Sequence, residues 1–214
     1  AHSRIPDAAT IRWADAGVRL GWYIGVLATE HHMASRPELF PGFSAVVPVD
    51  LELELYYALA AVDRLDRVAD AFFPPPCTQS ENLNGFFLRD DVPADFHLNF
   101  PGTSVTRSDA TSGSPPTNEM SQDQAHHILL GLALTHSLVE PGTVVNGRDL
   151  ASWAAEIGAR LGDHMADGGS WLITNPACGG RQVARGPDVR ALSRGVVRVL
   201  EGVRLSAVRS LVDA

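Results

Sequence analysis

The chain has 214 residues, 45% of them hydrophobic and 20% charged, which suffices for one substantial core, and its formal net charge is −8. That acidic balance, with no basic surface interleaved with aromatics before the C-terminal tail, argues against nucleic acid as a partner. No membrane span is expected, because Asp15 and Arg19, and again Asp63, Arg64, Asp66 and Arg67, interrupt the most apolar segments well short of ~20 apolar residues.

In chain order, a first helix is predicted from about Asp7 to Met33, with Trp13, Leu20, Ile24, Leu27 and His31 on one broad face. Gly17, Gly21 and Gly25 form a second row at spacing four, a groove into which another helix backbone can come close. A Pro/Gly/Phe loop (36–48) leads to Asp50, an N-cap for a second helix through Leu51, Leu55, Ala58, Leu59, Val62, Leu65, Ala69 and Phe72. Asp63 and Arg67 are read as an i, i+4 pair on its solvent side, serving solubility.

Residues 73–119 lack periodicity, and a loop that long inside a compact domain is functional or disordered. Its middle, Asn84 to Val92, holds Phe86 and Phe87, which need burial, and adjacent carboxylates Asp90 and Asp91 beside Arg89. It is expected to be ordered as a lid or site wall at the mouth of the central helix, or as a core plug in which Arg89 neutralises the acids. Thr103 to Pro116, rich in Ser, Thr, Gly and Pro, is expected to be mobile.

The central helix follows. Ser121 and Gln124 stand at capping-box spacing, and from Ile128 to Leu134 nothing is polar, so no face of this segment suits water. Gln122, Asp123, Gln124, His126 and His127 crowd its first turn, where the helix dipole favours Asp123. Asp149 caps a fourth helix through Trp153, Ile157, Leu161 and Met165, and Asp188 a fifth, which presents Arg190, Arg194 and Arg198 in a row. The expected class is therefore all-α, one domain over 1–214.

All 17 basic residues are arginine, and they are unevenly placed. Residues 1–180 carry 22 acids and 10 arginines, a balance of −12, whereas residues 181–214 carry 3 acids and 7 arginines, a balance of +4, so body and tail should attract. The opening Ala1-His2-Ser3 reads as a mature end left by a signal peptide, which makes the expected location secreted or periplasmic. Cys77 and Cys178, both in Pro/Gly-rich loops, are expected to form a disulfide, and two cysteines exclude a finger-type zinc site.

Three segments carry a resemblance: Glu54-Leu-Tyr-Tyr-Ala-Leu59 with Arg64-Leu-Asp66, Gly85-Phe-Phe-Leu-Arg-Asp-Asp-Val92, and Met120-Ser-Gln-Asp-Gln124 with Gly131-Leu-Ala-Leu134. Together they resemble secreted bacterial proteins with the helical-hairpin α/α-toroid of glycoside hydrolases and polysaccharide lyases. The resemblance implies helical hairpins of partial toroid type, since a full toroid needs about twelve helices, and Gln122 stands where a basic residue is compared.

It also implies a carbohydrate-active protein with a groove at the N-terminus of the central helix. Inverting hydrolysis would use two carboxyls about 6.5–9.5 Å apart, and Asp123 and Asp91 are the pair. Trp22, Tyr56, Tyr57 and Trp171 are candidate sugar platforms, each also a candidate core residue, and Arg89, Asp90, Gln122, His126 and His127 complete the groove. A glycan is the expected partner and no cofactor is expected. The alternative is a non-catalytic secreted binding or self-assembly module, because an open helical layer must cover its apolar face and a homo-oligomer is the simplest cover. A metal site from Asp123, His126, His127 and Glu30 or His31 is a third reading, disfavoured because adjacent helical side chains diverge by about 100°.

Overall fold

The computed structural model describes residues 3–4, 10–12, 15–72, 83–91, 104–106, 119–167 and 173. Trp13, Cys77, Cys178, Trp171 and the expected fifth helix and its arginine row lie outside the described residues. Four helices dominate: α1 (Ala16–Ala34), α2 (Pro48–Phe72), α3 (Gln122–Leu138) and α4 (Leu150–Asp167). A 3-10 turn, Pro41–Phe43, joins the first two.

The first helix begins about nine residues later than its periodicity suggested. Thr10–Arg12 is instead strand β2, antiparallel to β1 (Ser3–Arg4) and parallel to β3 (Ser104–Thr106). Extended pairing, to which β-branched Thr10 and Ile11 are suited, replaces the helix there, and it draws part of the stretch expected to be mobile into a ladder. Helix α2 starts at Pro48, two residues before the expected cap, because proline's missing N–H and fixed φ cost nothing at a first helical position.

A second pair of strands, β4 (Val144–Val145) and β5 (Arg148–Asp149), is closed by Asn146 and Gly147 at φ 50° and 78°. Asn-Gly tolerates two successive positive φ values, as a tight hairpin turn requires. Asp149 then accepts the Ser152 N–H at 2.8 Å and opens α4, as its sequence position implied.

Each helix packs on two neighbours, in ring order α1, α2, α4, α3. The α1/α3 crossing is the closest. A Cβ on Gly21 would lie 2.2 Å from the His127 carbonyl oxygen, and one on Gly131 would lie 2.4 Å from that of Gly21. Both positions therefore need glycine for space, and the glycine row does what its spacing suggested.

Residues 83–91 close one end of the ring, with Phe86, Phe87 and Leu88 buried. Phe87 O accepts the Met120 N–H at 3.1 Å, and Leu88 bridges Glu119, which sets this segment at the mouth of α3 as expected. Gly85 sits at φ 84°, and a Cβ there would meet the Arg160 carbonyl oxygen of α4 at 2.2 Å.

Candidate functional site

Ser121 is the N-cap of α3 in extended conformation, but its hydroxyl makes no cap bond. It donates to the Asp123 carboxylate instead, so the hydroxyl half of the expected capping box is absent. The rotamer that aims the Ser121 hydroxyl at a charged acceptor two residues away does not present its oxygen to a first-turn amide. Gln124 is buried where α3 meets Gly17 of α1, and Gln122 and Asp123 are half-buried.

The two histidines diverge as helical neighbours must, with ring centroids 5.8 Å apart and planes at 79°. His126 is buried, and burial together with the neighbouring His127 holds its pKa below the usual imidazole value. His127 donates Nδ1–H to the Asp123 carbonyl oxygen at 2.6 Å, which turns Nε2 into its free acceptor when neutral. Its ring lies 5.5 Å from that of Trp22, which is 55% exposed. Trp22 thus joins the mouth of α3 to a groove of about 220 Å³ lined by Gly21, Trp22, Gly25, Val26, Thr29, Glu30, Leu130 and Leu134.

Asp91 is elsewhere engaged: its carboxylate takes Arg64 Nε from α2. Arg89 turns toward the backbone beside α3. Its Nε donates to the Glu119 carbonyl oxygen at 2.7 Å, because the Leu88–Glu119 bridge brings that carbonyl within reach, while Asp90 is buried. Tyr57 is exposed and Tyr56 half-buried, their rings 5.4 Å apart, and Tyr56 leans on Trp153 at 5.3 Å. Trp22 and His127 meet where α1 packs on α3, with Asp123 and His126 beside them, whereas Tyr56 and Tyr57 stand on α2 and Asp91 is paired with Arg64 of α2.

The sequence reading missed the most strongly perturbed polar cluster. Asp63 does not face solvent with Arg67: it is 4% exposed and bonded to Trp153 Nε1 at 3.0 Å and to Arg160. Asp66, 1% exposed, lies 3.7 Å from Arg160 Nε and accepts the Gly85 N–H at 3.1 Å. Burial pushes the Asp66 carboxyl up to about 7, helped by Asp70 and Asp63 and opposed by Arg160 and the Gly85 amide. Asp70 accepts Leu83 N–H at 2.6 Å and Asn84 Nδ2 at 2.8 Å, and it too is raised, again chiefly by burial. A signal was present: residues 63, 66 and 70 fall at helical spacing on the stripe of Leu59, Val62 and Ala69.

His31, weighed as a metal ligand, is buried and paired with Glu52 at 3.1 Å. Among the described residues no group of three or more His, Cys, Asp or Glu is placed to hold a metal ion, and no helix is long and apolar enough to cross a membrane. No protein-family model, curated protein or solved structure matches the chain.

Proposed function

We propose that the protein is a secreted or periplasmic glycan-binding module, its two helical hairpins forming part of an α/α-toroid, and that a neutral sugar ring sits in the α1/α3 groove. The observation that carries this reading is Trp22, a large indole left more than half exposed beside His127 at the rim of a groove floored by glycines. An indole face takes the apolar face of a pyranose, and nearby polar groups take its hydroxyls. Glu30 in the groove wall supplies an acceptor for those hydroxyls and repels acidic sugars. Thr29 spends its own proton on the Gly25 carbonyl, so its oxygen serves as a second acceptor.

Binding carries this reading further than hydrolysis does, because Asp123 and Asp91 are held by different partners, Ser121 and Arg64. Self-association is the second reading, favoured by Tyr23 and Val26, which extend the exposed apolar strip of α1 beyond Trp22. Titration with neutral oligosaccharides, run beside sedimentation velocity on wild type and Trp22→Ala, separates the two. Loss of glycan binding in the variant, with the mass unchanged, is the expected result. Full retention of glycan binding overturns the proposal, and loss of a dimer alone transfers the groove to self-association.

A further inference from the structure

A second cleft, of about 260 Å³, opens between α2 and α4 on the other side of the ring from the α1/α3 groove. Tyr56, Ala60, Asp63, Arg64 and Arg67 line its α2 wall at helical spacing, with Arg148 from β5 and Trp153 from the first turn of α4 opposite. Three of the chain's 17 arginines thus converge on one opening of a protein whose net charge is −8.

We infer that this cleft is a binding site for a small oxyanion, a carboxylate, sulfate or phosphate group, carried on a compact ring. The charges around the cleft are unequally committed. Asp63, the acid in the cleft lining, gives its oxygens to Trp153 Nε1 and to Arg160, so its charge is answered from inside the protein. Arg64 is paired with Asp91, and Arg148 with Glu156 at 3.6 Å. Both arginines are about half exposed, and pairs so open to water hold their partners weakly, so either guanidinium can turn toward an entering anion. Arg67 has no ion-pair partner among the described residues.

Guanidinium forks on facing walls match the paired oxygens of an oxyanion, which ammonium groups would meet only as point charges. Arg148 also lies over the Trp153 ring, 5.2 Å from its centroid, which orients the fork and keeps its charge near an apolar wall. Ala60 leaves the space between the two walls unfilled, and Tyr56 offers a ring edge for the body of the ligand.

Calorimetric titration of the full chain at low ionic strength with inorganic sulfate, inorganic phosphate and D-glucuronate tests the assignment. At least one is expected to bind with a Kd of about 1 mM or tighter, and more weakly as salt is added. Arg67→Gln and Arg148→Gln should each weaken binding tenfold or more with unchanged circular dichroism and melting midpoint, and Ala60→Leu should abolish it by filling the cleft. Tighter binding of glucuronate assigns a carboxylate on a ring packed against Tyr56, whereas tighter sulfate or phosphate assigns a sulfuryl or phosphoryl group. Absence of binding by all three, or wild-type affinity in both arginine variants, overturns the inference. Running the titrations in Trp22→Ala keeps the outcome independent of the α1/α3 groove.

Discussion

Trp153 donates its indole N–H to the Asp63 carboxylate at 3.0 Å, joining α4 to α2 through two side chains almost wholly withdrawn from solvent. Arg160 shares the same carboxylate, so Asp63→Ala strands an indole donor and leaves the guanidinium only the more distant Asp66 carboxylate at 3.7 Å. Removing one partner of a buried ion pair is far more costly than never having built it, and a loss of about 3 kcal/mol is expected. Urea denaturation of the variant against wild type measures it. A loss under about 1 kcal/mol would place the pair among surface ion pairs instead.

Asp66 sets a pH dependence. Its folded-state pKa of about 7 lies above the ordinary carboxyl value of 3.8, so the folded protein holds a proton that the unfolded chain has released. The resulting stability is fully present below pH 3.8, declines from there upward, and is lost as pH rises through about 7. Asp66→Asn mimics the protonated acid and should lack this decline. The difference in unfolding free energy between variant and wild type, followed from pH 4 to 8, isolates the group from His126, whose lowered pKa acts in the opposite sense. A difference that does not change with pH refutes the assignment.

The glycines of α1 should be unequal. Alanine at Gly21 meets backbone at 2.2 Å and must force α1 and α3 apart, costing about 3 kcal/mol or more. Alanine at Gly25 meets only the end of the Leu134 side chain at 3.0 Å, which can turn away, and the gain in helix propensity offsets the rest to within about 1 kcal/mol. Thermal unfolding of the two variants checks the order.

Asp123→Asn keeps the shape of the α3 mouth while removing its charge. As an acceptor for Ser121 and a complement to the helix dipole, Asp123 should contribute about 0.3–1 kcal/mol, and the variant should bind glycan as wild type does. If the wild type cleaves a glycan and the variant does so ~10²-fold more slowly at equal stability, Asp123 is a general acid or base and the binding-module reading gives way to an enzyme.

The helices α2, α3 and α4 and the glycine seam were legible because each depends on neighbours three or four residues away in the chain. The ordered segment around Phe86 and Phe87 was legible because two adjacent aromatics must be buried somewhere. Asp63 was misread because its partners Trp153 and Arg160 come from a different helix, and local spacing supplied Arg67 as a plausible mate. Tyr56, Tyr57 and Trp22 illustrate the reverse problem: side-chain size alone does not say whether an aromatic is core or surface, and Trp22 and Tyr57 are surface. The hairpin at Asn146-Gly147 did carry a local signal, and its two-residue strands are too short to show alternation.

The reciprocal clash at the α1/α3 crossing also limits how this sequence can drift. A bulky change in an ordinary core is often rescued by shrinking the residue opposite, but Gly21 faces the backbone of His127, and Gly131 faces the backbone of Gly21. In each case the nearest clash is with a main-chain oxygen, which no substitution opposite can remove. A selection for second-site revertants of Gly21→Ala should accordingly recover true revertants, or substitutions at a distance that raise stability globally, and none at the point of contact.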